Sequence, residues 1–545
     1  MALKILPTFS VTGLLVGTVV FALSLTPSLV PRVAPLQGVL SGVSFAFGYG
    51  LGVLGVWLWD YLELPRPKTL MEDRLKWTMA SICSVFALYF LWQAKSWQNS
   101  IRQLMQLDPV DSAQPFQVAA IAFLVFFLVL LLGRLFNFTL MKISTLIKRI
   151  APRRVANVVG FIVVAFIAAS LVDGLIFKQT LRVADSIYAD LDKFREPKFT
   201  RPADSLKTGS SSSLVGWESL GRMGRSFISS GPNAHAIQEH FEAHVRNPIR
   251  VYVGLRSEET PADRAKLALN ELIRVGGFER SILIVATPTG TGWLDPSGVD
   301  TIEYLHGGDT AIVGVQYSYL ASWLSLLVEP EYGEQTARAL FREVFQYWTK
   351  LPKHSRPKLY LHGLSLGSLH SEFSMDLPEI IADPYHGALW AGPPFSSKRW
   401  RSITNERDPD TPAWLPRYSD GSYVRFTSQK NYLDIPGANW GPVRIVYLQY
   451  ASDAITFFEP ASFYRIPDWM NGERGPDVSP QLRWYPLVTF LQLLVDLMTS
   501  TIPPIGYGHT YAPEHYIDAW LEVTKPQNWT KERINKLKVQ FALVR

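Results

Sequence analysis

The sequence predicts an N-terminal α-helical transmembrane bundle of about five spans, followed by an α/β domain with a mostly parallel sheet flanked by helices. Three observations carry this expectation. Uncharged runs long enough to cross a bilayer crowd the first third of the chain. From Pro248 onward, short strand-like runs alternate with longer helix-like patterns. The pattern Gly363-Leu364-Ser365-Leu366-Gly367 stands where one such strand runs into a helix.

Composition agrees with a division into two parts. Of 545 residues, 48% are apolar and only 18% are charged, below the roughly 25% of an average soluble chain. Up to Arg201 there are 20 Lys and Arg against 11 Asp and Glu, and the remainder holds 33 against 36. The cationic excess therefore belongs to the apolar part, where loop cations fit a membrane protein and a lipid bilayer is the expected partner. The C-terminal part has no basic stripe, so nucleic acid is not an expected partner. A single cysteine, Cys83, lies inside an apolar run and excludes a disulfide framework or a zinc cluster. Neither a cofactor nor a metal is expected.

The five uncharged runs are Ile5–Pro31, Ser41–Trp59, Trp77–Ala94, Phe116–Gly133 and Val155–Val172. Trp57, Trp59, Tyr61, Trp77 and Trp92 lie near run ends, as aromatic belts do. None of the runs carries a central ionisable residue, and Asp173 follows the last, which favours an anchor over an ion pathway. Arg66, Lys68, Arg74 and Lys76 in the second connection, and six cations between Arg134 and Arg154 in the fourth, outnumber those of the first and third. Cation bias thus sets the N-terminus and these two connections in the cytoplasm. With five spans, the rest of the chain lies outside, at the plasma membrane.

Residues 1–178 are read as the anchor, and 179–247 as an amphipathic stalk followed by a Ser/Gly-rich surface linker. Residues 248–525 form the α/β domain, with 398–442 and 463–505 as insertions or a cap, and 526–545 as a tail. Within 463–505, Trp484–Ile505 is apolar except for Asp496 and is expected to cap the active site or rest on the membrane. In the α/β domain, RVYVG, ILIVA, AIVGV, KLYL, ALWA and RIVYLQ are strand-like. Thr260-Pro261 starts a helix, and Ala337, Leu340, Phe341, Val344, Phe345 and Trp348 keep helical spacing over Glu334–Lys350.

G-x-S-x-G on a strand-to-helix turn makes a nucleophile. The flanking glycines permit a turn too tight for a Cβ, and the strained turn lifts the serine hydroxyl clear of the backbone. Gly290-Thr291-Gly292 is not a phosphate loop, because no G-K-[ST] follows it.

The element order and the GLSLG elbow resemble the α/β-hydrolase superfamily over about residues 248–525. The whole chain resembles bacterial membrane-anchored α/β-hydrolases with a multi-span N-terminal domain. The resemblance implies a Ser, then Asp or Glu, then His order. Asp453 follows the strand at Arg444–Gln449, and His509 lies in the loop Gly506-Tyr507-Gly508-His509-Thr510 before a helical stretch. Ser365 would be nucleophile, His509 base and Asp453 its orienting acid. Asp453 also reads as a helix N-cap, with Asp434, Asp468 and Asp496 as rivals for the acid; His515 rivals His509, while His362 and His370 read as packing groups. By the family pattern the oxyanion is held by the N–H of Leu366 and by one from the loop after the third strand, here Gly290 or Thr291. The expected activity is hydrolysis of a lipid-like or small-molecule acyl ester or thioester. Acyl transfer by the same triad, and an inactive envelope protein that keeps the fold, are the alternatives.

Overall fold

The structure, a computed structural model, describes residues 9–543 apart from 66–68, 171–177, 242–244, 323, 326–329 and 377. Arg66, Lys68, Val172 and Asp173, named above, lie outside the described residues. The chain divides into two units, Met1–Leu181 with Phe458–Pro504, and Arg182–Phe457 with Ile505–Arg545.

The first unit is helical. Its helices are α1 (Val11–Ser24), α2 (Ala34–Tyr61), α3 (Thr69–Leu104), α4 (Pro115–Ile147) and α5 (Arg153–Ser170), followed by Val488–Thr499 from the late segment. Among the described residues, four of these, α2 to α5, are long and apolar enough to cross a membrane. The first of the five expected runs gives a shorter helix among the described residues. Its helix α1 has 14 residues, about 21 Å at the helical rise, short of a hydrocarbon core of roughly 30 Å. Pro27 and Pro31 end the run, because the residue before a proline is driven out of the helical region. Ile5–Thr8, at the start of that run, lie outside the described residues.

Small residues let these helices approach one another. A Cβ on Gly52 of α2 would fall 2.7 Å from Gly13 Cα of α1, and one on Gly48 would fall 2.9 Å from Gly17 Cα. On α4, Ala122 O would meet a Cβ on Gly42 at 2.6 Å. Such four-residue spacing of small side chains is how helices pack where apolar burial gives little drive.

The segment 463–505 had been expected as an insertion of the α/β domain; it packs instead within this helical unit. The one charge of its stretch Trp484–Ile505 explains why. Asp496 is fully buried and accepts hydrogen bonds from Ser28 Oγ and Leu29 N–H, both at 2.8 Å. Gln492 Nε2 donates to Thr26 O at 2.9 Å, and the Ser100 and Ser479 hydroxyls bond at 2.8 Å. The segment thus supplies partners to polar backbone groups between α1 and α2.

The second unit is built on seven parallel strands: β1 (Ile249–Val253), β2 (Ile282–Thr287), β3 (Thr310–Val315), β4 (Lys358–Leu364), β5 (Gly387–Ala391), β6 (Val424–Thr427) and β7 (Arg444–Leu448). Their order is β1-β3-β2-β4-β5-β7-β6. Every strand is almost wholly buried, as parallel strands between helical layers must be. Thr260 caps the helix Pro261–Arg274 by accepting from Asp263 N–H. The six apolar positions of Pro330–Trp348 are all buried.

Three boundaries need correction. Residues 398–442 contribute β6, whose four residues are too short a pattern to stand out among the surrounding Pro, Gly and Ser. The 205–235 stretch is no surface linker. It folds into Trp217–Leu220, Gly221–Ser230 and Ala234–Gln238, burying Trp217, Leu220, Phe227 and Ile228. Its glycines bring backbones together, since a Cβ on Gly224 would lie 2.5 Å from the Tyr252 ring. Residues 526–545 include a helix, Lys531–Leu543, that buries Leu537.

Candidate active site

The strand β4 runs without a break into the helix Leu366–Glu372, and Ser365 is the hinge, at φ 57° and ψ −126°. No ordinary residue rests there, and such a conformation costs about 1–3 kcal/mol. What holds it is packing on both sides. A Cβ on Gly363 would sit 2.3 Å from the Gly367 carbonyl carbon, and one on Gly367 would sit 2.2 Å from Thr287 O. Ser365 N–H donates to Ala391 O at 3.0 Å, tying the turn to the end of β5.

Parallel register aligns the carboxyl ends of four strands around that serine. Thr287 pairs with Gly363, Leu364 with Ala391, and Ala391 with Leu448. Loops leaving these ends converge, and this is the edge at which open α/β sheets bind ligands.

Asp453 lies five residues beyond β7, fully buried. Its Oδ2 accepts from His509 Nδ1 at 2.7 Å and from Tyr511 Oη at 2.7 Å. Its Oδ1 accepts from Ile455 N–H at 2.9 Å. Both sequence readings of Asp453 therefore hold at once: one oxygen caps the short helix Ala454–Phe457 and the other orients a histidine. With Nδ1–H committed to the carboxylate, the opposite ring nitrogen is the acceptor. That atom, Nε2 of His509, is buried and has no hydrogen-bond partner. The ring lies against Gly392, where an added Cβ would be 2.6 Å from Cε1, one residue from the Ala391 carbonyl that receives Ser365 N–H. The structure thus brings Ser365, His509 and Asp453 to one edge of the sheet.

The rivals are accounted for. Asp468 and Asp496 belong to the helical unit, and Asp434 is exposed. His515 stands in the helix Pro513–Thr524 and hydrogen-bonds the Tyr450 hydroxyl at 2.6 Å through Nδ1. His362 lies on β4 and gives its Nδ1 to Leu389 O at 2.8 Å. Burial pushes the His362 and His370 imidazoles down to about 4, so both are neutral packing groups.

Of the backbone donors, Leu366 N–H opens the helix Leu366–Glu372 and so has no intrahelical acceptor. The family pattern puts the second donor after the third strand, but the loop Thr289–Gly292 follows the second, β2, which neighbours β4. Thr289 N–H is spent on Trp293 O at 2.9 Å and Gly292 N–H on Thr289 O at 2.9 Å. Gly290 N–H meets Ser322 Oγ only at 3.4 Å. Gly290 and Thr291 remain the candidates in that loop. Tyr511 was not legible from the sequence, because a tyrosine two residues past a histidine carries no pattern of its own.

A nucleophile elbow at the carboxyl edge of a parallel sheet flanked by helices defines the α/β-hydrolase fold. The alpha/beta-hydrolase family pattern matches residues 249–537, and the pattern of that family's N-terminus matches residues 25–232. The chain belongs to this alpha/beta-hydrolase family. No curated protein and no solved structure matches it at a significant level.

Proposed function

We propose that the protein is a membrane-anchored serine hydrolase acting on an acyl ester or thioester. The observation that carries this reading is the 2.7 Å hydrogen bond from His509 Nδ1 to Asp453, which leaves a buried, unpartnered Nε2 at the sheet edge that also carries Ser365. Ser365 Oγ attacks the substrate carbonyl carbon as His509 Nε2 takes its proton. Asp453 holds the ring in the productive tautomer and stabilises the imidazolium. The negative oxygen is met by the N–H of Leu366 and of Gly290 or Thr291, each donor worth roughly 3–4 kcal/mol. The tetrahedral adduct collapses, the alkoxide or thiolate leaves with the proton from His509, and an acyl ester forms on Ser365. Water, deprotonated by His509, then releases the acid and restores the serine.

Anchoring in a membrane favours a lipid-like or cell-envelope acyl ester as substrate. The catalytic unit is assigned to the outer face. The cation-rich second and fourth connections are cytoplasmic by charge bias whether or not α1 crosses. The inserted segment, joined at both ends to the catalytic unit, bonds Ser28 and Leu29 in the first connection and Ser100 near the third. Those are the connections that the same rule assigns outside.

The test is fluorophosphonate labelling of membranes, followed by hydrolysis of a panel of acyl esters. Wild type is expected to label and Ser365→Ala is not; labelling that survives the substitution removes Ser365 as nucleophile. Accessibility of a Ser186→Cys thiol to an impermeant reagent on whole cells tests the orientation.

A further inference from the structure

The helical unit holds a cleft of about 60 Å³ that shares no residue with the candidate active site. Arg32, Gln98, Arg102 and Gln114 give it a polar end, and Leu25, Leu91, Ala94 and Val118 an apolar wall. Arg32 is buried at 8% exposure, between α1 and α2. Its Nη2 donates to Thr26 O at 2.8 Å, and its backbone N–H to Gln98 Oε1 at 3.0 Å. Its Nε and Nη1 are buried with no partner. Asp496 lies near but spends its two oxygens on Ser28 and Leu29, and pairs with no donor of Arg32.

A guanidinium is always charged, and two of its donor atoms left bare beside a cavity are costly unless something accepts from them. The nearby Asp496 carboxylate offsets part of that charge, but it leaves the two donors without an acceptor. An oxyanion answers them with short, charge-assisted hydrogen bonds. The volume suits a phosphate or carboxylate group, and the apolar wall suits the start of a hydrocarbon tail.

We propose that Arg32 and the cleft around it bind the oxyanion head group of an acidic amphiphile, phosphate or carboxylate, within the membrane-embedded unit. The site is independent of the catalytic triad.

The test is equilibrium binding to the purified full-length protein in a neutral detergent, read by native mass spectrometry and thermal shift. The probes are oleate, oleoyl lysophosphatidate, monoolein as the uncharged control, and inorganic phosphate as the free ion. Wild type is expected to bind the two acidic amphiphiles at least about tenfold more tightly than monoolein, the scale of one charged hydrogen bond. Arg32→Gln is expected to abolish that preference. Ala113→Trp keeps the arginine and its partners but fills the cleft from a half-buried loop position, and is expected to weaken both acidic probes. It decides the matter if Arg32→Gln does not fold. No acidic preference in wild type, or a preference that both variants retain, overturns the proposal and leaves a cleft for water only. Inorganic phosphate binding as tightly as the amphiphiles overturns the assignment to a lipid and gives the site to a free ion.

Discussion

Two buried aspartates, one in each unit, share an environment and differ in what they leave open. Asp496 and Asp453 are both fully excluded from solvent, and both accept hydrogen bonds at each carboxylate oxygen. Asp496 accepts from a serine hydroxyl and from backbone N–H, groups with no further reach. Asp453 accepts from an imidazole whose far nitrogen is unpartnered. The first pins one segment of chain to another. The second orients a ring whose far nitrogen stays open at the edge of the sheet. Burial and hydrogen-bond count alone therefore do not separate these two carboxylates; the next atom along does.

That contrast can be broken at several points. Replacing Asp453 by Asn keeps its shape but reverses the tautomer it favours at His509. It is expected to lower kcat about 10⁴-fold, or roughly 5.5 kcal/mol, while the protein stays folded. Ester hydrolysis measured beside far-ultraviolet circular dichroism checks both halves. Gly367→Ala would place a Cβ 2.2 Å from Thr287 O, in backbone that cannot yield cheaply. A loss of about 4 kcal/mol is expected, seen as a collapsed denaturation midpoint.

A second comparison sits inside the catalytic unit, between His509 and His362. The latter is held at about 4 by burial, below its ordinary 6.5. The unfolded chain then binds more protons than the native one between these values. Native stability is full above pH 6.5 and falls by about 3 kcal/mol as the pH drops to 4. His362→Asn should flatten part of that acid limb, and an unchanged limb would exclude a neutral buried imidazole there.

Asp496→Leu removes the acceptor of Ser28 and Leu29 and is expected to cost about 2 kcal/mol of stability with kcat per folded molecule unaltered. Thermal unfolding in detergent, alongside active-site titration with fluorophosphonate, separates the two. The smallest effect is expected at Tyr511→Phe, which deletes one donor to Asp453 Oδ2. About 1 kcal/mol is at stake. A fall in kcat of about fivefold is expected, and ester hydrolysis measured beside circular dichroism checks it.

Much of this architecture was legible in the chain. The strands β1, β2, β3, β4, β5 and β7 show as apolar runs because parallel strands are buried on both faces, and Pro330–Trp348 shows because one helical stripe meets the sheet. Ser365 was marked by glycines whose need is steric and local. What escaped had no local signature. The strand β6 is four residues whose partner β7 lies well along the chain, and Gly221–Ser230 hides its buried face among Ser and Gly. In the first run hydropathy counts residues, while Pro27 decides where the described helix stops.

The apolar runs and the elbow follow from residue type and spacing, since sterics, hydropathy and turn chemistry act over a few neighbours, and the resemblance to the hydrolase family implies the order serine, aspartate, histidine. Folding in three dimensions alone decided that Asp453 both caps a helix and bonds His509, that Tyr511 shares its oxygen, and that residues 458–504 join the helical unit. Each of these depends on which buried donor finds which acceptor across a long stretch of chain, and no local pattern encodes that meeting.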